Sequence, residues 1–478
     1  MKWIIPFASL ALTVGAQAKV TAIDEAFLKE ALAENVPTVQ NIQANFLSLK
    51  LQENSVLDKF SYQLTGEASY LKTSEKPFST FSPVTSPVKS ASLGVQRATQ
   101  YGVAVKVSSF AEQFSNNYVH KGTTSGVSFQ VEMDLFKDFL GGLTKEQLNA
   151  LKTARKAGSL EQDIQTKAFY QELRKLYWKL VANNEQLNLS KELLKSSKLQ
   201  VVEAKKRLKN NVADSGEVAR YESQVAARKA NIIALQYQKE ALVQSLKELI
   251  PSVAQDEIQL KPYNLEQTVA TVLACTSKIA SYNAIPVENT KYDEVLQNVK
   301  LQYESQKKVT DSYNSIDVKL NSEIKRVGKD FSLSNSVDQI SDDPGNSVAV
   351  GLSINIPIDG KKTTTEEVQR LVDKKRFIAK QDEINAKLEA YHTQVVKNIT
   401  YLQEIVKEQQ INSIKLAHSL KVAEKKYNQA RISVRELITD QDSLLQSNLS
   451  EIDTKYNVIA TLLDYLAVYT ETPCALNN

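Results

Sequence analysis

A seven-residue apolar period, held over long stretches, constrains this chain more than any other feature. Leu173, Leu180, Leu187, Leu194, Val201 and Leu208 follow one another at intervals of seven. Ile438, Leu445, Ile452, Ile459 and Leu466 repeat the pattern near the C-terminus, and Ile399, Val406, Leu420 and Tyr427 keep it with Ser413 as the interruption. A strict heptad demands near-parallel helix packing with left-handed supercoil. Breakers are scarce: glycine is 14 in 478 residues, about 3% where ~7% is usual, and proline is 11. Leu143–Asn211 and Lys361–Arg431 are therefore read as helices of about 100 Å each. Glu217–Ile250, Glu436–Tyr469 and Asp24–Ser55 are read as helices of about half that length. Two half-length helices laid end to end match a long one, which suits a tall cylinder. A generic antiparallel coiled coil accounts for the heptads but not for the length matching.

A different period precedes each long stretch. Val127, Phe129, Val131, Met133 and Leu135 alternate with Ser128, Gln130, Glu132 and Asp134. Val348, Val350, Leu352, Ile354, Ile356 and Ile358 alternate with Ala349, Gly351, Ser353, Asn355, Pro357 and Asp359. Each has the length and texture of a tilted transmembrane β-strand. An ordinary sheet with one wet face reads equally well for any single strand. Ile316, Val318, Leu320 and Ile324 supply a partner strand, as do Phe60-Tyr62-Leu64 and Val103-Val105-Val107; at least four strands are expected. Whether Phe60–Leu71 and Leu93–Gln100 join them is left open by the pattern.

The order strand, glycine, long helix, polar turn, second helix occurs twice, at a constant separation of 219 that places Gly141 on Gly360 and Glu217 on Glu436. A duplicated unit is the economical explanation. Ser433-Val434-Arg435-Glu436 forms a capping box, and Asp214-Ser215-Gly216-Glu217 is its variant. Each sets a carboxylate at the positive end of a helix.

The first 18 residues read as a secretory signal: Lys2, an apolar run from Ile4 to Val14, and the small-x-small site Ala16-Gln17-Ala18. Cys275 and Cys474 are the two cysteines, and in an oxidising compartment they either pair or remain buried thiols. Three histidines, none near a cysteine, leave little material for a metal site or a histidine-based triad, so no enzyme and no cofactor is expected. A net charge of +4 argues against a nucleic-acid partner.

Three segments resemble the TolC family of trimeric outer-membrane efflux channels. Ala26–Pro37 is similar to the family's first-helix pattern, with Val36 set between Asn35 and Pro37. Ile356-Pro357-Ile358-Asp359-Gly360-Lys361 is similar to its strand-to-helix exit, and Tyr427–Leu437 to its tip motif. The family usually has glycine where Ala430 and Asn211 stand.

The resemblance implies a mainly α chain with transmembrane β. Three copies would form one outer-membrane β-barrel, continued by a long-helix α-barrel as a periplasmic tunnel. On this reading residues 1–18 are the signal peptide, 19–56 an outer helix, and 57–140 strands with extracellular loops. Residues 141–250 form a long helical hairpin with its tip near 211–217, and 251–311 an equatorial segment with a second outer helix. Residues 312–359 make a β-hairpin, 360–470 a second helical hairpin with its tip near 430–436, and 471–478 a tail. Cys275 and Cys474 would then be neighbours in the equatorial belt, and Glu217 and Glu436 would match the acidic aperture. The turns at Asn211, Val212, Ala213 and Asp214, and at Ala430, Arg431, Ile432 and Ser433, would receive a periplasmic adaptor serving an inner-membrane transporter. The implied function is a passive duct for small molecules or proteins. An exported coiled-coil spacer or adhesin, with the strands as a cap, is the competing reading.

Overall fold

The computed structural model describes residues 19–33, 36–79, 83–116, 118–212, 214–281, 290–312, 316–356 and 361–469. The signal segment, Ala213, Pro357 to Gly360 and Cys474 lie outside them. The described residues fall into two compact units.

One unit takes in residues up to Ala44, Gln162–Lys291, and residues from Asn385 onward. Its scaffold is α4 (Ser215–Leu249), α9 (Val434–Val468) and the greater part of two longer helices, α3 (Gly142–Lys209) and α8 (Lys361–Asn428), whose first turns belong to the second unit. α3 and α8 have 68 residues each, about 100 Å, and α4 and α9 35 each. Adding 219 to the bounds of α3 and α4 gives those of α8 and α9. Heptad positions supply the core: Leu173, Leu180, Leu187, Ile399, Val406, Leu445 and Ile459 are all buried. Toward the turns the seam opens, and Leu208 is 37% exposed.

Ser413, the interruption in the heptad, is a polar junction. Its hydroxyl lies 3.1 Å from Ser447 Oγ, 3.2 Å from Asn448 Oδ1 and 3.0 Å from Glu451 Oε2, so a residue that breaks the apolar seam ties α8 to α9. Glu25, on α1 (Glu25–Ala31), fastens that helix to α3 through a buried ion pair in which Arg174 Nη2 donates to both carboxylate oxygens at 2.7 and 3.0 Å; Trp178 Nε1 donates to it at 2.6 Å. The chain ahead of α1 differs from expectation. Val20–Ile23 is a strand, β1, in parallel with β6 (Glu257–Leu260), and the expected single helix is two: α1 and α2 (Pro37–Leu57). Pro37 explains the restart, because it cannot donate inside a helix but is well suited to a first turn. α5 (Leu265–Ser281) carries Cys275, and Glu266 on it pairs with Lys455 of α9.

The second unit comprises Asn45–Glu161 and Tyr292–Ile384. It holds a six-stranded antiparallel sheet of β2 (Gln63–Leu71), β3 (Val88–Ala98), β4 (Val103–Phe114), β5 (Gly122–Asp134), β7 (Asp317–Asp330) and β8 (Gly345–Asn355), in the order β2-β3-β4-β5-β7-β8. The open question about the earlier pair is answered here: they extend the sheet as β2 and β3. Phe60 itself ends a short helical turn ahead of β2. α6 (Lys291–Asp311) leads toward β7, and α7 (Leu333–Asp342) connects β7 to β8.

Candidate functional site

Two places gather the residues singled out above, one in each unit. In the sheet, register fixes what each face carries. Ile324 pairs with Phe129 and Val348, Phe129 with Val107, Val107 with Val95, and Val95 with Leu64. Alternation then puts Leu64 and Tyr70 of β2, Leu93 and Val95 of β3, Val103, Val105 and Val107 of β4, and Val127, Phe129, Val131 and Met133 of β5 on one face. Val318, Leu320 and Ile324 of β7 and Val348, Val350, Leu352 and Ile354 of β8 continue it. Most of these side chains are uncovered: Val348 is 71% exposed, Leu64 72% and Phe129 43%. An apolar field across six strands far exceeds what a soluble surface leaves open. Its charged residues, Lys89, Arg97, Arg326 and Asp330, lie toward strand ends.

The opposite face is hydrophilic and hydrogen-bonded within itself. Ser108 and Ser128 hydroxyls meet at 2.8 Å, Gln96 donates to Gln63 at 2.8 Å, Lys319 pairs with Glu132 at 2.7 Å, and Gln130 donates to Glu323 at 2.5 Å. Gly94 is required on this face: a Cβ there would lie 2.7 Å from Ser108 Cβ and 2.9 Å from the Val107 carbonyl. Exposed aromatic residues flank the sheet at both ends. Tyr62, Tyr101, Phe136 and Phe139 stand where the strands meet the helices, and Tyr70, Tyr118 and Phe331 at the far end.

At the other place, the α3–α4 and α8–α9 turns are built alike. After α3, Asn211 takes φ 57°, its N–H donates to Leu208 O at 3.0 Å, and Val212 N–H donates to Arg207 O at 2.8 Å. After α8, Ala430 takes φ 60°, donates to Tyr427 O at 2.9 Å, and Arg431 donates to Lys426 O at 2.9 Å. These are paired Schellman closures. Asp214 accepts from Glu217 N–H at 2.7 Å to start α4, and Ser433 with Glu436 completes the capping box that starts α9. Val212, Arg431 and Ser433 are exposed and Ile432 is half-buried, so the turns present side chains outward.

The two acids matched by position have different surroundings. Glu436 is exposed and folds back on the backbone N–H of Ser433 at 3.2 Å. Glu217 has a side chain only 14% exposed; it receives the Tyr427 hydroxyl from α8 and stands 3.4 Å from Arg207 Nη1 of α3. Arg207 also lies over the Tyr427 ring at 4.8 Å, and Tyr221 meets that ring edge-on at 6.5 Å. Ala204, Val218, Tyr221 and Val434 form the small core beneath. Burial, then the bond to Glu217, holds the Tyr427 hydroxyl well above its ordinary pKa, so it remains a donor at any physiological pH. Sequence reading found the acids and missed this clamp. Tyr427, an aromatic ring at a heptad position beside a turn, was the available signal.

Farther along, Arg228 of α4 pairs with Asp442 of α9, and Gln224 donates to Gln441 at 3.2 Å. Lys175 and Lys179 of α3 reach Asp464 and Asp453 at 2.7 and 3.2 Å. Cys275 is not a free thiol. Among the described residues no group of three or more metal-ligating side chains occurs, and no helix is long and apolar enough to cross a membrane.

No family model matches the chain, and no curated protein matches it. Solved structures do. The outer membrane protein VceC from Vibrio cholerae superposes with a TM-score of 0.68 at 14% identity, over 92% of this chain and 95% of that one. The Campylobacter jejuni CmeC outer membrane channel gives 0.66 at 13% identity, over 99% and 96%. The open state of the Neisseria gonorrhoeae MtrE outer membrane channel gives 0.62 at 13% identity, over 93% and 88%. The chain thus has the fold of these outer membrane channels along nearly its whole length.

Proposed function

We propose that the chain is one third of a homotrimeric outer-membrane duct, the exit channel of a tripartite export system. The observation that carries this reading is the two-faced sheet, apolar and uncovered on one side, hydrogen-bonded and polar on the other. Lipid suits the first face and a hydrated lumen the second. The sheet of one chain ends in two unpaired edges, β2 and β8, and open edges cannot face hydrocarbon. Three copies of six strands, each β8 joined to the next β2, would close a barrel of about eighteen (three times six), a size that leaves an aqueous channel.

The four long helices supply the α-barrel that such a duct needs below the membrane. Their matching lengths at one offset support an origin by internal duplication. Glu217 and Tyr427 hold the two helical hairpins together, so opening would separate that pair, while exposed Glu436 would face the aperture. The outward turns at 211–214 and 430–433 would receive a periplasmic adaptor, with the inner-membrane transporter providing the driving force. Cys275 and Cys474, the chain's two cysteines, would form a disulfide in the periplasm. Transport needs no catalytic residue and no cofactor.

The test is purification in detergent followed by insertion into planar bilayers. A particle of three chains that gives discrete conductance steps is expected. A monomer, or a trimer that never conducts, would refute the duct.

A further inference from the structure

We infer that α7 is an interfacial helix that seats against lipid and fixes where the apolar band ends. The inference rests on the reading of the sheet's apolar face as lipid-facing. The position of α7 follows from register. Gly328 shares its face of β7 with Leu320 and Ile324, and a Cβ on Gly328 would lie 2.0 Å from the Ser336 carbonyl of α7. Ser336 also meets Ser125 of β5 at 2.6 Å, and Arg326 Nε donates to the Ile340 carbonyl at 2.6 Å. All three contacts place α7 on the apolar side of the sheet.

Its position along the strands coincides with a change in composition. On β5 the outward residues run Met133, Val131, Phe129, Val127, and then turn to Ser125 and Thr123, which are buried. The helix therefore lies where β5, the strand it covers, stops offering hydrocarbon-compatible side chains.

Its own surface is divided in the same manner. Leu333 and Val337, one turn apart, are 53% and 49% exposed, and Phe331 before them is 71% exposed. Asp338 and Asp342 occupy the other side, and no basic residue falls within α7. Such a helix lies in the headgroup and acyl boundary, held by apolar area and not by charge. α7 packs on the apolar side of the sheet and adds exposed apolar side chains of its own there, and that shared character selects lipid as the occupant.

Introduced cysteines carrying a fluorophore test this in the full-length protein in phospholipid vesicles, with the unmodified chain labelled in parallel as a blank. Val350→Cys reports the band, Val337→Cys the apolar side of α7, and Asp342→Cys its acidic side. Lipids brominated midway along the acyl chain should quench the Val350 label. Lipids brominated near the glycerol should quench the Val337 label more, and iodide should quench it at least twofold less than the Asp342 label, at low and high salt alike. If the Val350 label is quenched by lipid while the Val337 and Asp342 labels are equally open to iodide, the α7 inference is wrong and the lipid-facing sheet survives. If the Val350 label is not quenched, both fall.

Discussion

Ala430 holds φ 60° without glycine, as does Asn211 at φ 57°. The left-handed region costs an alanine about 1–2 kcal/mol, and asparagine tolerates it better. Ala430→Gly is therefore expected to stabilise the α8–α9 turn by about 1 kcal/mol, and Asn211→Gly by less. Amide exchange of residues 427–433 in the first variant and 208–212 in the second measures the difference; equal gains at both sites would contradict the strain argument. At the clamp, Tyr427→Phe removes a hydrogen bond to a carboxylate worth about 1.5–3 kcal/mol and leaves the ring in place. In bilayers this variant should leak more current than the unmodified channel, and so should Glu217→Ala. Glu436→Ala should weaken cation preference with a smaller rise in leak, because among the described residues Glu436 bonds only its own turn.

Helices and strands have sensitivities of their own. His392 of α8 is buried against the Tyr465 and Tyr469 rings of the α9 end, and its Nδ1 has no hydrogen-bond partner among the described residues. Burial lowers its pKa, since the charged form loses its water there. The sign follows: the neutral imidazole is accommodated above the ordinary value of about 6.5, and stability is lost as pH falls from there through the lowered folded value. Melting temperature should decline across that acidic window, and His392→Phe should flatten the decline. On β8, Val350→Lys puts a charge on the apolar face and should cost about 2–4 kcal/mol if the site lies near the bilayer midplane. Ser353→Lys, on the polar face, should be tolerated. Urea titration of the protein in vesicles compares the two, and equal losses would count against the assignment of faces.

At the scale of the whole molecule, the proposed assembly would supply what a single chain lacks. Two open edges among the described residues and an uncovered apolar field are liabilities in water, and on the proposed reading association and lipid would resolve them. The disulfide is a separate claim: reduction and alkylation should add mass at Cys275 and Cys474 only after a reductant is supplied. Alkylation of the unfolded chain without reductant would rule the bridge out.

Local periodicity is what the sequence determined by itself. Heptads in α3, α8 and α9, with scarce breakers and the capped turns, located all four long helices to within a few residues at each end, because side chains seven apart must share a seam whatever packs against it. Alternation located β5, β7 and β8, and the 219 offset matched the two helical pairs. Pairing across long separations was decided only in three dimensions. Nothing local to Val20–Ile23 announces its partner at Glu257–Leu260, more than two hundred residues away. Glu217 and Glu436 look alike in sequence; one is clamped by Arg207 and Tyr427 and the other is exposed and folded back on its own turn, because helix packing puts different neighbours beside them. A chain encodes its own period at every residue, whereas a contact between distant segments exists only after both have been brought together.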